Sequence, residues 1–189
     1  MNTKGEKMAN HVWTDVIVKS DSKELHETLY KWYVEPATQN SWGGDSVRAT
    51  VKPIFGEYDR YPMDAIGSKW ILIEDIDEYG DDETYMRFCS AWSFPEGFVE
   101  QLVSRVVGID ENAVVDVSAD EESDDFLVGG YGDKRGFVWN EDDSPERPWE
   151  DDFGDDWEGY DDAINEFYED VLDIKQFLKK QSEKELKCQ

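Results

Sequence analysis

At 189 residues the chain has room for one domain with an appendage, or for two small ones. Its apolar content of 39%, with eight Trp, nine Tyr and nine Phe, supports a real core and excludes a disordered chain. A net charge of −27 argues against direct binding of nucleic acid or an anionic membrane, and it steers association toward basic surfaces. There is no apolar run long enough to cross a bilayer and no secretory signal, so the expected location is the cytoplasm. Cys89 sits in a strand-like segment and Cys188 lies next to the last residue. They read as a buried thiol and a frayed-end thiol, not as a disulfide framework.

In chain order, residues 1–7 read as a leader or added segment, with Met8 the expected natural start. His11 to Val18 alternates and predicts a first strand with Val12, Thr14, Val16 and Val18 on one side. Asp21 with Glu24 three residues later marks a helix start. That helix would carry Leu25, Leu29, Trp32 and Tyr33 on one face and end before Pro36. Gly43, Gly44, Pro53 and Pro62 punctuate the next segment, in which Val47 to Phe55 reads as one strand.

Trp70 to Glu74 predicts a second strand and Thr84 to Trp92 a third, the latter with Met86, Phe88, Ser90 and Trp92 sharing a side. The Asp75 to Glu83 connection between them, with Gly80 near its centre, reads as a hairpin loop. Ser93 is the expected cap of a second helix, with Pro95 in its first turn. Phe98, Val99, Leu102, Val103 and Val106 form that helix's apolar stripe, and Gly108 its end. Ala113 to Val117 predicts a fourth strand. A further hairpin would pair Phe126 to Val128 with Gly136 to Trp139 around a Gly129-Gly130-Tyr131-Gly132 turn. The order strand, helix, strand, strand, helix, strand predicts an α+β fold of ferredoxin-like, split βαβ type, an antiparallel sheet with helices on one face. The domain would run over residues 8–140, leaving 141–189 as an acidic, aromatic-rich extension that ends in an amphipathic helix from Tyr160 to about Leu186. That helix shows Ile164, Phe167, Val171, Ile174 and Leu178 at helical spacing, with acids at its start and Lys175, Lys179, Lys180, Lys184 and Lys187 toward its end.

Three local patterns resemble the YubB-like ferredoxin-like family of plasmid and phage proteins. They are Met8-Ala9-Asn10-His11-Val12-Trp13-Thr14, Gly67-Ser68-Lys69-Trp70, and Phe88-Cys89-Ser90-Ala91-Trp92-Ser93-Phe94-Pro95. The resemblance covers about residues 8–139, with His11 where an aromatic is usual and Phe94 in place of a proline. It implies a ferredoxin-like domain carried on a mobile genetic element, and it transfers no activity.

Few residues point to catalysis. The two histidines are His11 in the first strand and His26, which reads as a surface residue of the first helix. Neither stands near a nucleophile-elbow Ser or Cys. The glycines at 129–132 lead toward a strand, not a helix N-terminus, so they do not make a phosphate cradle. Aligning Gly154 or Gly80 with the sixth position of an EF-hand loop leaves Trp149 first, or Tyr79 and Met86 at ligand positions, so neither loop fits calcium. No cofactor, no metal site and no enzyme activity are expected.

The charge peaks between Glu141 and Asp170, where fifteen carboxylates face a single base, Arg147, for a net −14. Trp149, Phe153, Trp157, Tyr160, Phe167 and Tyr168 are interleaved with them, and merely solvated acidic tails are poor in such rings. One acid per two residues is about 3 Å of rise on a helix, against about 3.4 Å per phosphate along a DNA strand. The expected function is therefore non-enzymatic. A nucleic-acid mimic would occupy the basic cleft of a host DNA-binding protein or defence complex.

Glu141, Asp142, Asp143, Glu150, Asp151, Asp152, Asp155, Asp156, Glu158, Asp161 and Asp162 would supply the charge. Trp149 and Trp157 would hold the backbone or touch the partner. Acid clusters at Glu74 to Glu83 and Asp110 to Asp125 would extend the surface if they share its side. Two other readings stay open: a solvated acidic face that serves solubility, and a protein-interaction module that binds a partner, or a second copy as a homodimer, through the Ile164 to Leu178 stripe.

Overall fold

The structure is a computed structural model that describes residues 10–39, 44–57, 62–79, 82–123, 126–143 and 159. The expected leader and the expected C-terminal helix lie outside the described residues. Within them the chain is α+β: a six-stranded antiparallel open sheet in the order β2-β3-β1-β4-β5-β6, with four helices. The central strand β1, His11–Lys19, pairs with β3, Glu83–Ala91, on one side and with β4, Val114–Glu121, on the other. Val12, Thr14, Val16 and Val18 are fully buried, as the alternation requires.

Helix α1, Lys23–Gln39, begins one residue later than expected, because the Ser22 hydroxyl and carbonyl, not Asp21, receive the Leu25 N–H. The helix does not stop before Pro36. Ala37 lies one turn beyond Tyr33 and joins the same core, and this packing carries the helix past the missing N–H.

The expected strand over Val47 to Phe55 is a helix, α2, Gly44–Phe55. Its β-branched residues suggest a strand, but the buried set Ser46, Thr50, Val51 and Ile54 has helical spacing, and tertiary burial overrides the local preference. A short helix α3, Met63–Ile66, comes next and ends on Gly67 at φ 85°, the left-handed conformation that glycine adopts without strain.

Strand β2, Ile71–Tyr79, absorbs most of what reads as the hairpin loop, so the turn into β3 is short. The register shifts between Ile73 and Asp75, so Ile71, Ile73 and Ile76 are all buried despite their uneven spacing. That extra residue is what hides the strand's continuation past Glu74 from a period-two reading. As an edge strand, β2 is also blunted: the Thr50 hydroxyl accepts the Ile73 N–H at 2.9 Å, and the Asp75 carboxylate accepts the Ile76 N–H at 2.9 Å. Thr50→Val strands the buried Ile73 donor and also removes the bond to the Ser46 carbonyl. A loss of about 1–3 kcal/mol is expected, read as a lower urea midpoint at unchanged slope.

Helix α4, Glu96–Ile109, buries Phe98, Val99, Leu102, Val103 and Val106, the expected stripe. Ser93 is not its cap. The cap position is Pro95, and the Ser93 hydroxyl donates to the Gly67 carbonyl at 2.7 Å, tying two loops together. Nor does Gly108 end it: the helix runs one residue further and closes with the Asp110 N–H on the Val106 carbonyl. Trp92 is not on the core side of the third strand. It lies just past β3 at φ 66°, 52% exposed, with the Lys69 ammonium 4.5 Å from its ring centroid.

The Gly129 to Gly132 stretch is not a turn but the middle of β5, Phe126–Asp133, which pairs with β6, Gly136–Asp143. The reversal is at Lys134 and Arg135, where the Asp133 carboxylate accepts the Arg135 N–H at 2.8 Å. The glycines are needed for close approach. A Cβ on Gly130 would stand 2.7 Å from the Phe137 ring, and one on Gly132 would stand 2.6 Å from Val103 of α4. The strand side chains in the core all come from one face of the sheet, and Leu25, Leu29 and Tyr33 of α1 with the α4 stripe cover that face.

Candidate binding surface

The alternation that buries Val12 to Val18 sends Trp13, Asp15, Ile17 and Lys19 to the opposite face. The pairing then fixes their neighbours. Asp15 stands beside Arg87 and Ser118, Ile17 beside Tyr85 and Asp116, and Trp13 beside Cys89 and Asp120. From β2, Asp75 pairs with Arg87 and Asp77 with Tyr85. Two acid clusters that are far apart in sequence thus contribute Asp75 and Asp77, and Asp116 and Asp120, to one face. Residues two apart on a strand lie about 7 Å from each other, and neighbouring strands about 5 Å, so these carboxylates form a sparse grid. Glu121, from the same run, points the other way and is buried, with its carboxylate accepting the Ser123 N–H at 2.7 Å.

Arg87 and Lys19, the cations that the described strands bring to this face, are already engaged. Arg87 makes a bidentate pair with Asp15, both bonds 2.7 Å, and the Tyr85 hydroxyl donates to the same carboxylate at 2.6 Å. The Asp15 hydrogen bond holds the Arg87 pKa above its usual range, while burial and then the bond to Asp15 raise that of Tyr85. Lys19 reaches Asp116 at 2.9 Å and Glu83 at 3.9 Å, and the bond to Asp116 raises its pKa. With both positive groups neutralised locally, the described surface stays anionic.

At one end of the sheet a cleft of about 550 Å³ is lined by Lys19, Ser20, Asp21, Ser22, Asp82, Glu83, Asp110, Asn112 and Val114. The Ser20 hydroxyl donates to Asp110 at 2.5 Å, which with the Asn112 N–H keeps that carboxyl below its ordinary pKa. His26 lies beneath it and corrects the surface reading: it is buried, with Nδ1 2.6 Å from the Thr84 hydroxyl and Nε2 2.8 Å from the Ser20 carbonyl. Nε2 donates to that carbonyl, which can only accept, and Nδ1 bonds the Thr84 hydroxyl. Both nitrogens therefore serve the fold, and His26 holds the β1–α1 turn against β3. Among the described residues no group of His, Cys, Asp and Glu side chains is arranged to hold a metal ion. No helix among them is long and apolar enough to cross a membrane.

Cys89 is fully buried, and burial together with the nearby Glu74 and Glu122 carboxylates pushes its thiol pKa up to about 12. In a Cys188→Ser background, Cys89 is expected to ignore a thiol reagent at neutral pH and to react on unfolding, which a colorimetric thiol assay reads directly. An unfolded thiol ionises near ~8.5, so the stability contributed by the neutral form is present below that pH and is lost as pH rises toward the folded value.

Of the sequence-predicted site residues, Glu141 is exposed in β6 at the register of Val128, and Asp142 and Asp143 occupy the end of β6 opposite Leu127 and Phe126. Trp149, Glu150, Asp151, Asp152, Asp155, Asp156, Trp157, Glu158, Asp161 and Asp162 lie outside the described residues. The two acid clusters expected to extend the surface contribute Asp75, Asp77, Asp116 and Asp120 to this face, and Asp15 is the addition that the fold makes. The signal for Asp15 was its place on the polar side of the alternating first strand. Comparison of the chain with protein-family models, with curated proteins and with solved structures found no match.

Proposed function

We propose that this chain is a non-enzymatic acidic binding protein that mimics nucleic acid and occupies the basic cleft of a DNA-binding or defence protein. The observation that carries the reading is the sheet face opposite the helices. It gathers carboxylates from β1, β2 and β4, and its Lys19 and Arg87 are already bound to carboxylates. The strand β6 ends in Glu141, Asp142 and Asp143, so the densest acidic run of the chain starts from this same sheet.

We also assign the domain to the ferredoxin-like, split βαβ type and place it with the YubB-like proteins of mobile elements. The order β2-β3-β1-β4 of the first four strands, with helices between β1 and β2 and between β3 and β4, supports the fold assignment. The motifs at Met8 to Thr14, Gly67 to Trp70 and Phe88 to Pro95 support the family.

Salt and DNA test the function together. A basic DNA-binding protein held by the immobilised chain at low ionic strength is expected to be released by duplex DNA. Its affinity should fall by more than about tenfold once the Debye length shrinks below about 10 Å. Binding that is indifferent to salt, or a ternary complex with DNA, refutes mimicry.

A further inference from the structure

We draw no further inference here: the strongest candidate, the sheet face opposite the helices where Cys89, Leu127 and Gly129 are buried, carries nothing because nothing among the described residues shows what covers it.

Discussion

Replacing Asp151, Asp152, Asp155, Asp156, Asp161 and Asp162 with Asn and Ser is expected to abolish capture of a basic partner while leaving the cooperative unfolding of the domain in place. Six charges leave a chain whose net charge is −27, so the variant keeps a large negative charge and stays soluble. General attraction between an acidic and a basic protein therefore survives, and what is lost is the local density that matches phosphate spacing. Self-repulsion falls in the same variant, so its stability should hold or rise slightly. Six neutralised acids on the helices, Glu24, Glu27, Asp45, Asp64, Glu96 and Glu100, serve as the control and should weaken binding only modestly. Affinities of both variants by calorimetry, at two salt concentrations, separate the cases. If the six-acid variant binds as the native chain does, mimicry through that run is wrong.

The largest stability effect is expected at Gly97, and the contrast with Gly108 in the same helix makes it informative. A Cβ on Gly97 would overlap the Ala65 carbonyl oxygen, since the start of α4 lies directly against α3. Backbone on both sides leaves nothing free to rotate away. Gly97→Ala is therefore expected to cost about 3 kcal/mol, as overpacking does, and to lower Tm by about 10 °C. At Gly108 a Cβ meets nothing within 4 Å, so Gly108→Ala gains only the helical preference of alanine. It should stabilise by about 0.5–1 kcal/mol. Thermal unfolding of the two variants should shift in opposite directions; equal shifts would remove the close α3–α4 approach as the cause.

The elements legible in the sequence are those whose pattern is set by a single core contact along their length. The β1 alternation and the α4 stripe, Phe98 to Val106, are of this kind, and both were readable residue by residue. Where two periodicities competed, reading failed. Residues 44–55 carry strand-forming side chains at helical spacing, and only the fit of Thr50, Val51 and Ile54 against β2 and the core decides for a helix. Glycines 129–132 look like a turn because nothing local reveals that Val103, 29 positions before Gly132, needs the space. The acidic second half of β2, from Asp75 to Tyr79, reads as a loop because the bulge breaks the alternation of Ile71, Ile73 and Ile76.

Composition and local period alone determined that the chain folds, that it is α+β, that it is strongly anionic, and where the carboxylates are densest. Charge and composition are sums over residues, and local period needs only neighbours along the chain. Only the tertiary structure decided which acids stand together. Asp75 and Asp116 are 41 positions apart, and they share a face because β3 and β1 lie between their strands in one sheet. Strand order depends on long-range pairing and core packing, whose free energy involves all the partners at once. No window of sequence contains it.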